Sequence, residues 1–161
     1  MNPSEITLTR EKILEENKRV HKLEDKSYLD RHPEQTNFFQ IRILNKTVNQ
    51  VCSSIEPTKG DILELGCGTG YLYMEFLKRG YKITGVDLSA EMINVLKSRI
   101  PKNLEKHSKL VVSDVESFAE IDDKKYSAVI VSALLHHLYD YESVIKMYCE
   151  RLIPGGVFLV F

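Results

Sequence analysis

From residue 61 onward, short apolar runs alternate with stretches in which apolar positions recur every three or four residues. The runs "DILELG", "YKITGVD" (81–87), "KLVVSD" (109–114), "YSAVIVSAL" (126–134) and "VFLVF" (157–161) are near-continuously apolar, as strands are when helices cover both sheet faces. Between them "YLYMEFLKRG", "SAEMINVLKSRI" (89–100) and "DYESVIKMYCERL" (140–152) carry the helical period. This alternation predicts an α/β fold, a doubly wound and mostly parallel sheet. The first part of the chain is different. Residues 1–31 are rich in Glu, Lys and Arg, and Ile6, Ile13, Leu14, Val20 and Leu23 make only a weak helical stripe, expected to lie on the surface of the main body. Phe38, Ile41, Leu44, Val48 and Val51 predict a helix from about 34 to 55, opened by Pro33 and ended by Pro57 and Gly60. The chain thus divides into an N-terminal helical segment, 1–59, and an α/β core, 60–161.

Composition narrows the function. At 161 residues, one domain with a sizeable core is expected. The 22 basic and 23 acidic residues leave a formal net charge of −1, so no global field draws nucleic acid or anionic lipid. Cys52, Cys67 and Cys149 are scattered and odd in number, which favours a reducing compartment, and neither a signal peptide nor a run of roughly 18 apolar residues is present. A cytoplasmic location is the expectation. The final "GGVFLVF" is an apolar strand running to the last position, which leaves a bare sheet edge. The core is therefore expected to continue with further strands; the alternative is a five-strand protein whose last strand is covered by the N-terminal helices or by a second copy.

Chemistry concentrates in "ILELGCGTGYL", residues 62–72, where an apolar strand meets Gly66, Gly68 and Gly70 and then a helix. A strand entering such a turn brings backbone N–H groups close to a bound group. A triphosphate loop needs Lys and a hydroxyl after the glycines, and Tyr-Leu-Tyr stands there instead. A dinucleotide loop needs a third glycine where Tyr71 stands, which weakens that ligand without removing it. Glu64, two residues ahead of the first glycine, suits a cationic ligand better than a diphosphate.

In order and spacing, "ILELGCGTG", "GVDLS", "SDVESF", "YSAVIVSALLHHL" and "LIPGG" resemble the successive motifs of class I S-adenosylmethionine-dependent methyltransferases, closest to the small-molecule branch that includes quinone-biosynthesis enzymes. The resemblance spans about residues 60–161 and implies a Rossmann-like sheet of order 3-2-1-4-5 whose last strands lie beyond residue 161. It also implies that the cofactor, S-adenosylmethionine with S-adenosylhomocysteine as product, lies over Gly66, Cys67, Gly68, Gly70 and Tyr71. Glu64 then orients the loop or meets the methionine end. Asp87 accepts the ribose hydroxyls, Leu88 and Met92 pack on the adenine, and Asp114 with Val115 receives its edge. Singly these residues have plainer roles, tight turns and helix caps, with Ser89 a more natural N-cap than Asp87. Tyr28 reads as an ordinary partly buried aromatic.

His136 and His137 follow the fourth strand. Adjacent histidines point apart and no Cys, Asp or Glu completes a zinc spacing, so no metal is expected. The resemblance puts both near the cofactor's reactive end, first candidates for a general base. In-line methyl displacement is mainly a matter of alignment, which supplies about 7–11 kcal/mol; a base adds about 10²–10⁴-fold only where the acceptor must lose a proton. The [DN]-P-P-[YF] motif of exocyclic base methylation and the Pro-Cys nucleophile of pyrimidine methylation are both missing, which favours a small-molecule acceptor over nucleic acid. Two other readings stay open: a cofactor-binding module without catalysis of its own, and an NAD-dependent oxidoreductase.

Overall fold

The computed structural model describes residues 3–24, 38–55 and 60–161. Two helices come first, α1 (Pro3–Glu24) and α2 (Phe38–Ser54). The core then runs β1 (Asp61–Leu65), α3 (Tyr73–Lys78), β2 (Ile83–Asp87), α4 (Ala90–Arg99), a 3₁₀ turn (Lys102–His107) and β3 (Ser108–Val112). It continues through α5 (Val115–Ile121), β4 (Tyr126–Val131), a second 3₁₀ turn (Leu135–His137), α6 (Tyr141–Cys149) and β5 (Leu152–Val160).

The strands form one parallel sheet in the order β3-β2-β1-β4-β5, as expected. Alternation along β1 divides its side chains between two cores. Ile62 faces a cluster with Leu44, Val48 and Val51 of α2, Phe76 and Leu77 of α3 and Leu96 of α4. Leu63 and Leu65 face the other, with Phe118 of α5 and Val144 and Tyr148 of α6. Burial on both faces is what the unbroken apolar runs of β1, β2 and β4 encode. The connections leave β1 in one direction through β2 and β3, then return to its other side through β4. The sheet therefore has its switch point between β1 and β4, at the C-terminal strand ends where open α/β sheets hold ligands.

Several boundaries differ from the sequence expectations. The third strand ends at Val112, not at residue 114, because Asp114 caps a helix the apolar pattern did not single out, α5. The fourth strand stops at Val131; beyond it Ala133 turns with φ +47° and the chain enters the 3₁₀ turn. The last strand begins at Leu152 rather than 157, crossing Pro154 and Gly155 where its register with β4 shifts. Pro33, Pro57 and Tyr28 lie outside the described residues. Among the described residues no helix is long and apolar enough to cross a membrane.

Candidate functional site

A cavity of ≈ 580 Å³ opens at the switch point, within the range of small-molecule sites. Gly66 and Gly68 form its floor, Asp87, Leu88 and Met92 one wall, and Ser113 to Glu116 another. Ser132 to Leu134 and His136 to Tyr139 supply the side beyond β4, and α1 closes over it with Arg10, Ile13, Leu14, Asn17 and Val20. The gathered residues come from four strand ends and a remote helix, so the sheet topology alone brings them together.

Asp87 ends β2 and is largely buried. Its Oδ2 accepts the Gly68 N–H at 2.7 Å and its Oδ1 the Ser89 N–H at 2.9 Å. A carboxylate has about four lone-pair sites, so each oxygen keeps one for a further donor. Ser89 is the N-cap of α4, its Oγ accepting the Met92 N–H at 3.2 Å, which leaves the Asp87 carboxylate to the loop and the cavity.

The three loop glycines all have positive φ but do different work. A Cβ on Gly70 would stand 2.2 Å from Leu96 Cδ1, so this position exists to let α4 pack against the loop. Above Gly68 nothing lies within 4 Å. That open space, beside a carboxylate with spare acceptor capacity, leaves the Gly68 backbone accessible from the cavity. Arg99 braces the loop from behind, donating to the Thr69 carbonyl at 2.7 Å.

Asp114 is the N-cap of α5; its Oδ1 takes the Ser117 N–H at 2.9 Å and also Arg10 Nη2 at 3.0 Å. Arg10 Nε reaches Glu116 at 2.9 Å, and Asn17 Nδ2 donates to the His137 carbonyl at 3.1 Å, so α1 is tied to both sides of the cavity. Burial works to raise the Asp114 carboxyl, but the Ser117 hydrogen bonds and the Arg10 charge outweigh it and hold it below its ordinary value. Half-exposed pairs of this kind contribute about 0–1 kcal/mol each. Arg10→Ala is accordingly expected to lower global stability only slightly while speeding hydrogen exchange along α1; unchanged α1 protection would show that the pairs do not hold the helix down. Arg10 and Asn17 carried no sequence signal, since their partners are more than a hundred residues away.

Glu64, Cys67, Gly70 and Tyr71 do not line the cavity. Glu64 is 1% exposed on β1, and Cys67 and Tyr71 pack into the α2–α4 core. Burial, and secondarily the Asp87 charge, push the Glu64 carboxyl well above its ordinary value of 4.5. A carboxyl raised in the folded state favours folding fully below its unfolded pKa, and that stability falls as pH rises through the window up to the folded value. Glu64→Gln is expected to flatten the loss of stability as pH rises above the ordinary carboxyl value of 4.5, read by urea unfolding at several pH values; an unchanged slope would place the effect elsewhere.

His136 and His137 lie in the 3₁₀ turn on the cavity side and, contrary to the expectation that adjacent histidines point apart, their rings are in contact with centroids 4.0 Å apart, because the tight turn brings both towards one side. Ala133, also on the wall, keeps its left-handed φ with its N–H bound to the Phe161 carbonyl at 3.0 Å. Among the described residues no group of His, Cys, Asp and Glu is arranged to hold a metal ion.

Residues 63–160, from within β1 to the end of β5, match a family described as a methyltransferase domain. The chain belongs to this family. The malonyl-[acyl-carrier protein] O-methyltransferase of Priestia megaterium is 30% identical over 122 residues, 74% of this chain and 43% of that protein. The ubiquinone biosynthesis O-methyltransferase of Vibrio cholerae is 33% identical over 97 residues, 59% of this chain and 38% of that protein. A solved glycopeptide N-methyltransferase, MtfA complexed with S-adenosyl-L-methionine, superposes with a TM-score of 0.60 at 28% identity, over 71% of this chain and 52% of that one. The methyltransferase domain spans about two fifths of the length of the curated relatives it matches.

Proposed function

We propose that this chain binds S-adenosylmethionine in the cavity at the sheet switch point and transfers its methyl group to a small-molecule acceptor. One observation carries the reading: Asp87 ends β2 with acceptor capacity to spare, beside open space above Gly68. A ribose diol presents two donors, and the two Asp87 oxygens each offer one acceptor. Leu88 and Met92 give the apolar wall for a base, and Asp114 keeps its Oδ2 for the amine at the base's edge, its Oδ1 being taken by Ser117 and Arg10. Gly66, Gly68 and Val115 complete the cofactor side; Glu64, Cys67, Gly70 and Tyr71 support it from beneath.

When bound, S-adenosylmethionine supplies a methyl group already activated on a positively charged sulfur. The chain's part is to align the acceptor, to exclude water with α1, and, where the acceptor carries a proton, to take it with His136 or His137. Within the N-terminal segment α1 caps the acceptor side, α2 packs into the core, and 60–161 hold the cofactor. The balanced charge and the three free cysteines support a cytoplasmic enzyme acting on small molecules rather than on nucleic acid. Incubation with S-adenosylmethionine tritiated in the methyl group, together with separate small-molecule, protein and RNA fractions, tests this. Label is expected in the small-molecule fraction; label in RNA alone would overturn the acceptor class.

A further inference from the structure

Glu64 is the one carboxyl among the described residues that is fully enclosed with an oxygen lacking a hydrogen-bond partner, its Oε2. Among the described residues the titratable groups that act on it are acidic or neutral: Asp87 from the end of β2, the Cys67 thiol from the loop and the Tyr73 phenol from α3. Its partner positions in the sheet are Gly85 on β2 and Ile130 on β4, neither able to donate from a side chain. Asp87 accepts two backbone N–H groups whereas Glu64 Oε2 accepts none, and burial pushes the Glu64 carboxyl towards its neutral form. The pair beneath the loop therefore lacks a cation.

Resting on the cofactor reading above, we propose that Glu64 is the neutral acid in the ligand-free domain and releases its proton to solvent when the ligand's ammonium or sulfonium group docks over the 66–70 loop. The exchange balances: a neutral carboxyl beneath the loop and a cationic ligand above it become a carboxylate and that same cation, paired across the loop, and one proton enters the buffer. Affinity for cationic ligands consequently tightens as pH rises, by up to about tenfold per pH unit, in the window between the bound-state and free-state pKa of Glu64. Glu64 is thus a positioning group whose charge appears only with the cofactor, rather than a standing anion.

Calorimetric titration in phosphate and in Tris, matched at neutral pH, measures the proton count, because the two buffers differ in ionisation enthalpy. S-adenosylhomocysteine and S-adenosylmethionine are each expected to release up to about one proton per site; adenosine, lacking both cationic groups, releases none. Glu64→Gln, matching the neutral acid in shape, is expected to bind without a buffer-dependent enthalpy. Wild-type binding with no buffer dependence, equal release with adenosine, or release that survives in Glu64→Gln would each overturn the proposal while leaving the cofactor reading standing. Should Glu64→Gln fail to fold, the wild-type comparison of adenosine with S-adenosylhomocysteine still decides. No binding of any of the three ligands would overturn the cofactor reading itself, and this proposal with it.

Discussion

Asp87→Ala is expected to weaken S-adenosylhomocysteine binding by on the order of 100-fold or more. Hydrogen bonds to a charged acceptor are worth about 1.5–3 kcal/mol each, and the carboxylate has room for both hydroxyls of a ribose. The substitution also strips an acceptor from the N–H groups of Gly68 and Ser89. That costs about 1–3 kcal/mol of stability for each N–H left without a partner, against the 5–15 kcal/mol of an ordinary domain. Urea unfolding run alongside the titration separates the two losses, the binding loss being the one read on folded protein. Asp87→Asn keeps one carbonyl acceptor and is expected to fall between wild type and Asp87→Ala. An alanine variant that binds as wild type, measured by calorimetry alongside urea unfolding, would remove Asp87 from the ligand site.

The opposite separation is expected within the glycine loop. Gly70→Ala drives a methyl into Leu96, a fully buried core residue, at a backbone φ of +88°. Left-handed backbone costs a residue with Cβ about 1–2 kcal/mol and overpacking adds about 1–3, for a total of about 2–5 kcal/mol in urea unfolding. Leu96→Ala removes the obstructing side chain, so the double variant should lose less than the sum of the two single losses. Gly68→Ala meets no atom within 4 Å, and only its φ of +49° is strained. It should cost about 1–2 kcal/mol of stability yet interfere with binding, because its methyl occupies the space above the loop. If Gly70→Ala unfolds at the wild-type urea concentration, the packing role assigned to this glycine is wrong.

Residues with local physical causes were legible in the sequence. Apolar runs buried on both faces marked β1, β2 and β4, and Ser89 announced its cap by standing just before an amphipathic stretch. Helix α5 is short, and its N-cap Asp114 was absorbed into the preceding strand. Its signal was nonetheless present, an Asp114 N-cap followed by Val115, Phe118 and Ala119 at helical spacing. The apolar run alone starts the last strand at residue 157, while the structure begins β5 at Leu152 and carries it through Gly155 and Gly156. The loop glycines looked alike in one dimension; only the position of Leu96 separates a packing glycine from one beneath open space. Arg10 could not have been found, since an ion pair spanning the chain leaves no periodic trace.

The most direct measurement is a map of backbone amide shifts by heteronuclear NMR as S-adenosylhomocysteine is added. The largest changes are expected at Gly68, at Leu88 and Ser89 behind Asp87, and at Val115 beyond Asp114, with smaller ones along α1. Saturable changes confined to α2, or none at all in the folded protein, would contradict a cofactor held by Asp87 at the switch point of the sheet.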